Sequence, residues 1–277
     1  MARAVAALAL TLALLGAGCS GLTGAPAESE PTLSPATVPA VSDRDDGQYV
    51  APGVTDRRLV DPGALQRAHA TALSNTSHTF RERVTRQYPN GTLLSRYTTT
   101  VQRNGSAVRY RYERSPSNGT VPLRVETWAE DRDVYTARTE GNATTYSVER
   151  AAATARRVPL GPDDYGASIG RVLGLLSLDV AGTERRDGRR TYRLVTTQSR
   201  DVPPLENVSF RGHVTPEGVL TDYRITYRVS RGGTPVDVTV RVTVDDLGTT
   251  VVERPPWYER AVTAADRAAS RPPSGPG

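Results

Sequence analysis

Few residues of this 277-residue chain belong to types that do chemistry on their own, and their spacing narrows the field further. There is one cysteine, Cys19, directly after the small residues Gly16-Ala17-Gly18. A lone thiol can serve as a nucleophile for modification, and it leaves no intrachain disulfide. The three histidines, His69, His78 and His213, lie far apart in sequence with no partner at metal-ligand spacing, so no metal site is expected. Gly166-Ala167-Ser168-Ile169-Gly170 matches the hydrolase nucleophile elbow, which needs a strand running straight into the turn. Here Pro159-Leu160-Gly161-Pro162 precedes it, so Ser168 reads better as the first turns of a helix, and no enzyme or cofactor is expected. Asp43, Asp45 and Asp46 lack the Gly turn and distal acid of a cation loop, and the carboxylate pair Asp245-Asp246 reads as a solvated turn. The strongest pattern belongs to asparagine. All six, Asn75, Asn90, Asn104, Asn118, Asn142 and Asn207, stand in N-x-S/T sequons without an intervening proline. With Ser and Thr at roughly a sixth of the chain, chance gives this on the order of once in ten thousand. Asn-Gly turns and strand threonines account for part of it. Glycosylation of several of these sites is the expectation.

Cys19 gains meaning from what precedes it. Arg3 supplies a positive charge, and Ala4 to Leu15 is an apolar run of about a dozen residues. That is a secretory signal over residues 1–18, too short for a bilayer-spanning helix of roughly 20 residues. The cysteine after small residues resembles the lipobox of secreted lipoproteins, with Gly16 where a large aliphatic residue is usual. Two readings follow. Either Cys19 becomes a lipidated N-terminus that holds the protein on the outer surface of the cell membrane, or an ordinary signal peptide is cut near Gly18. Position, flanking small residues and uniqueness agree on the first. Lipidation and glycosylation both require export, so the two signals reinforce each other.

All 35 basic residues are arginine, and the net charge is +5. The arginines are spread along the chain rather than clustered, so nucleic acid is not an expected partner, while acidic headgroups or glycans remain compatible. The chain is read as a monomer.

Residues 19–60, rich in Ser, Thr, Pro, Ala, Gly and acids, read as a disordered spacer. Asp61-Pro62 is a helix start, and Leu65, Ala68, Ala72 and Leu73 then share a face. From His78 the period becomes two. Phe80, Val84 and Tyr88 oppose Arg81, Arg83, Thr85 and Gln87, and Asn90-Gly91, Asn104-Gly105 and Asn118-Gly119 punctuate a meander. Residues 151–179 interrupt it with a helix whose stripe is Ile169, Val172, Leu173 and Leu176. Later strands put Tyr223, Ile225, Tyr227 and Val229 on one face and repeat the alternation at Val236, Val238, Val240, Val242 and Val244. A last strand is expected at Thr249–Glu253, then Trp257 and Tyr258 folding back on the core, and a flexible tail over 261–277. The sum is an α+β fold over residues 61–260: a large curved antiparallel sheet of about ten strands, covered by one or two helices.

That order of elements, with the Gly188–Tyr192 stretch, the Pro216-Glu217-Gly218 turn and the closing Glu253-Arg254-Pro255-Pro256-Trp257-Tyr258, resembles the lipoprotein-carrier superfamily. The superfamily includes LolA/LolB-like carriers and mycobacterial LppX/LprG-like lipoproteins, and the likeness is greatest to haloarchaeal surface lipoproteins. The resemblance implies a half-barrel whose concave face can hold acyl chains. In such a half-barrel, Tyr223, Ile225, Tyr227, Val236, Val238, Val240 and Val242 would line the concave face opposite Ile169, Leu173 and Leu176. Three functions stay open: a carrier of a hydrophobic ligand, a non-catalytic structural or interaction module of the envelope, and a hydrolase using Ser168.

Overall fold

Alternating β-branched and polar residues, broken by glycine turns, build most of the described strands into one antiparallel sheet. The computed structural model describes residues 47–115, 120–130, 133–150, 169–170, 172–186, 188–197 and 200–270. A short hairpin comes first, β1 (Tyr49–Ala51) with β2 (Val54–Thr55), followed by helix α1 (Pro62–Ser74). A meander follows: β3 (His78–Gln87), β4 (Leu93–Asn104), β5 (Ala107–Ser115), β6 (Leu123–Glu130), β7 (Asp133–Glu140) and β8 (Ala143–Arg150). Helical residues 169–170 and 172–175 lead into β9 (Leu178–Arg186), β10 (Arg189–Thr196), β11 (Arg200–Val202), β12 (Leu205–Val214), β13 (Leu220–Arg231) and β14 (Thr234–Asp245). A C-terminal helix spans Tyr258–Ala269.

The main sheet has twelve strands in the order β8-β7-β6-β5-β4-β3-β14-β13-β12-β10-β9, with β11 beside β12. It is a curved, unclosed half-barrel with helices. The Asn90-Gly91 turn reverses the chain as expected: Gly91 has φ +85°, and Asn90 Oδ1 accepts the Thr92 N–H at 3.0 Å.

Helix α1 starts as its sequence dictates. Asp61 accepts the Ala64 N–H at 2.9 Å, and Pro62 occupies the first turn. Leu65 and Leu73 are buried in the main core with Phe80, Leu178, Leu194, Phe210 and Val244. The sheet face carrying this core is the inner face. The mid-chain helical residues pack closely on α1, where a Cβ at Gly170 would fall 1.9 Å from Gln66 Oε1. Gly212 likewise leaves room for Phe210 and Tyr223 to stack at 5.9 Å, since a Cβ there would lie 2.8 Å from that of Tyr223. No described helix is long and apolar enough to cross a membrane.

The structure moves three boundaries. Order begins well before residue 61: Ala51 and Val54 are buried in the main core, and Leu59 N–H bonds to Leu178 O while Val180 N–H bonds to Arg57 O. Low-complexity composition hid this hairpin because its few apolar anchors, Val50, Ala51 and Val54, show no clear alternation. Thr249–Glu253 is not a strand. Both edges of β14 are already taken by β13 and β3, so the chain turns at Asp246 (φ +53°) and leaves the sheet. Finally, the chain after 260 continues as helix to Ala269 instead of a loose tail, with Ala261 fully buried.

Candidate functional site

The inner face is organised around β3, β14 and β13. Cross-strand neighbours share a face, so the register fixes its composition. Val242, Val240, Val238 and Val236 stand opposite Tyr223, Ile225, Tyr227 and Val229 on one side. On the other side Val244, Val242, Val240 and Val238 stand opposite Phe80, Glu82, Val84 and Arg86. Strand β4 then adds Val101, Thr99, Tyr97 and Ser95 beside those four, and β5 adds Tyr110 and Tyr112.

The structure divides the expected lining in two. Ile169, Leu173 and Leu176 join Tyr223, Ile225 and Val242 in the main core. Val236 and Val238 belong instead to a second cluster with Val84, flanked by Tyr88, Leu94 and Tyr97, and so do not face the helical stripe. Val240 and Tyr227 are only half-buried and pack against both clusters. The inner face therefore has two apolar ends joined by a partly open middle.

That middle carries two charges that a reading of apolar alternation passed over. Phe80 and Val84 were visible in the pattern, yet Glu82 and Arg86 have the same parity and must share their face. Glu82 has no hydrogen bond or ion pair among the described residues, and burial raises its pKa. Its charge reaches four tyrosines. Burial is the main cause that lifts Tyr110 to about 12, and burial likewise lifts Tyr97, Tyr223 and Tyr227, with Glu82 adding to each. The Arg86 guanidinium lies 5.3 Å over the Tyr97 ring and opposes the rise there. An apolar trough with one unpaired acid, one ring-bound cation and a set of neutral phenols can hold a chain and hydrogen-bond a head.

The outer face of β6–β8 is built differently. Trp128, Ala137, Trp257 and Ala261 form a separate cluster with Tyr135, Tyr146 and Tyr258. Trp257 and Tyr258 do fold back, but onto this outer cluster. Trp128 and Tyr258 meet edge-on at 5.3 Å, with Arg254 4.5 Å over Tyr258. Glu126 anchors the edge of this cluster, accepting from Arg111 Nε at 2.6 Å, an Arg124 guanidinium nitrogen at 2.7 Å and Trp257 Nε1 at 2.5 Å. Burial would raise the Glu126 pKa, but the Arg124 hydrogen bond, the Arg111 and Arg124 charges and the Trp257 bond together lower it.

The histidines are structural in placement. His69 on α1 accepts the Leu220 N–H at 3.2 Å, and burial, aided by His78, lowers its pKa to about 4. His213 contacts Asp222 at 3.0 Å and Glu184 at 3.5 Å. Asn75, Asn90, Asn104, Asn142 and Asn207 are all exposed; the first four lie at strand ends, turns or the end of α1, and Asn207 lies at an irregularity inside β12 with φ +53°. Cys19, Asn118 and Ser168 lie outside the described residues.

No family model and no curated protein sequence matches the chain. Solved structures similar to it include the Pseudomonas aeruginosa MucA/MucB complex, at 16% identity and TM-score 0.32 over 70% of this chain and 59% of that one. They also include a LolA superfamily protein from Nitrosomonas europaea, at 10% identity and TM-score 0.25 over 70% of this chain and 96% of that one. A third is an outer membrane lipoprotein-sorting protein domain from Vibrio parahaemolyticus, at 8% identity and TM-score 0.16, covering 72% and 96%. The chain thus spans little over half of the MucA/MucB chain it matches, and superpositions this loose say nothing of its activity.

Proposed function

We propose that this protein is a non-enzymatic lipoprotein, anchored to the outer surface of the cell membrane through Cys19, whose half-barrel binds or carries a hydrophobic ligand. The observation that carries the reading is the partly open middle of the inner face. Val240 and Tyr227 are half-buried between two closed apolar clusters, on a trough that also holds Tyr97 and Tyr110. Burying apolar surface there is favourable at roughly 25 cal/mol per Å², which is the gain an acyl chain would realise. The exposed asparagines support glycosylation of the same exported domain. In the Asn90 turn the side chain already bonds two residues on, leaving the sequon at a hairpin tip.

The test is native mass spectrometry of protein extracted from its own membrane, with binding of a fluorescent fatty acid to purified protein. A co-purifying lipid and micromolar probe binding are expected. Val240→Asp should abolish probe binding while circular dichroism still reports a folded domain, because it places a charge between the two apolar clusters, on the apolar surface an acyl chain would cover. If no lipid travels with the protein and no probe binds, the inner face is simply a core and the protein a structural module of the envelope. Cys19→Ala should release the protein from membranes, and the intact mass of native material should exceed polypeptide plus lipid by the glycans.

A further inference from the structure

We propose a second binding site, on the outer face of the sheet, for an acidic sugar unit: a single hydroxylated ring bearing a carboxylate or phosphate. A cavity of about 260 Å³ lies between β5–β8 and the start of the C-terminal helix. That is just below the range of roughly 300–1,000 Å³ used by drug-sized ligands, and it suits one ring.

Its charge is unbalanced. Arg109, Arg124 and Arg260 line it, against the single carboxylate of Glu126. Glu126 is already occupied by Arg111, Arg124 and Trp257. Arg109 therefore reaches it only at 3.8 Å, beyond hydrogen-bond range, although the Arg109 side chain is just 19% exposed. Its half-buried guanidinium thus meets Glu126 by charge alone, and its five donors have no hydrogen-bond acceptor among the described residues and stay available to an entering anion. Arg260 faces the same cavity, its guanidinium 5.9 Å over the Tyr146 ring and without a carboxylate partner among the described residues. Two planar forks across a small cavity fit a carboxylate or phosphate better than a neutral group.

The other walls choose the body of the ligand. Thr139 and Thr144 share a 2.9 Å hydroxyl–hydroxyl contact at the cavity edge and retain capacity to donate and accept. Tyr146 and Trp257 supply aromatic surface. A bare inorganic anion would use the arginines and leave these walls idle. An acidic sugar uses both. This site shares no lining residue with the inner trough, so its test is independent of the carrier reading.

The experiment is isothermal titration of the full chain with glucuronate and glucose 6-phosphate, against glucose and inorganic phosphate as controls. Binding of one or both acidic sugars is expected, with glucose silent and phosphate at least about tenfold weaker. Arg109→Gln and Arg260→Gln should each weaken binding roughly tenfold or more, the worth of one charge-assisted hydrogen bond. Arg260 is exposed on its helix, so that variant should keep the wild-type unfolding curve and separates lost binding from lost folding. No heat from either acidic sugar at about 10 mM overturns the site. So does glucose binding as tightly as glucuronate, wild-type affinity in both arginine variants, or phosphate matching glucose 6-phosphate.

Discussion

Glu82, half-buried, and Glu126, buried, belong to the same sheet, on opposite faces, and differ in their polar partners. Glu126, on the outer face of β6, accepts from two arginines and a tryptophan, and its carboxyl is held below the usual range. Glu82, on the inner face of β3, has no such partner among the described residues, and burial pushes its carboxyl up. One acid is part of what holds a helix to the sheet. The other is tolerated by the packing at a cost. A group kept against its own solvation energy is where a sequence has given up stability, and Glu82 marks the inner middle as such a place.

The comparison breaks first at Glu126. Glu126→Ala should lower stability by about 2–3 kcal/mol, chiefly because it leaves the buried Trp257 N–H without its acceptor, while the half-exposed Arg111 and Arg124 turn to water. Urea unfolding measures it, and a loss under about 1 kcal/mol would mean the outer cluster does not depend on its acid.

Acid should separate the two faces next. The folded pKa of His69 is depressed to about 4, from an ordinary value of 6.5. Its contribution is therefore complete above pH 6.5 and is lost as pH falls toward 4, up to about 3 kcal/mol. His78, also lowered chiefly by burial, acts in the same direction. Glu126 is depressed below 4.5, so its contribution survives until the pH drops under that value. Between pH 6.5 and 5, amide protection factors, corrected for the intrinsic exchange rate at each pH, should fall in α1 and at Leu220 while those around Trp257 hold. An equal fall at both places would refute the contrast.

A smaller effect isolates one bond. Trp257→Phe keeps the ring and deletes the donor to Glu126, and should cost about 2 kcal/mol in the same urea experiment. The smallest change expected has the opposite sign. Glu82→Gln should stabilise the protein at neutral pH by under about 1 kcal/mol, and the gain should fade in acid, where protonation relieves the same penalty. A loss of stability instead would make Glu82 a structural acid like Glu126.

Much of this architecture was legible in the chain. Period-two runs such as Val236–Val244 can satisfy a one-sided sheet in only one register, since a slip of one residue would bury Asp237 and Arg241. The Asp61-Pro62 start and the Asn-Gly turns carry their own geometry. The inner trough was half-legible: its valines and tyrosines declared themselves, while Glu82 and Arg86, charged residues sharing the parity of Phe80 and Val84, break the apolar alternation without marking which face they take. The outer cluster was not legible. Trp128, Glu126 and Trp257 come together across more than a hundred residues, and no local pattern announces that Trp257 Nε1 will find Glu126. The absence of a strand at 249–253 was equally hidden, because it follows from which edges of β14 are already filled.

The position of β14 governs how the molecule is assembled. Strands β3–β8 form one arm of sequential neighbours, and β9–β13 form another. Each arm can pair locally as it is made, at little cost in chain entropy. They become one sheet only when β14 docks against β3, a seam that joins Thr239 to Thr85 and other residues about 150 apart in the chain. Glu82 and Val84 meet Val242 and Val240 along that same seam. A chain interrupted before Thr234 would own both arms and no trough. The inner trough is thus born at the step that completes the fold, and a half-made chain does not yet have it.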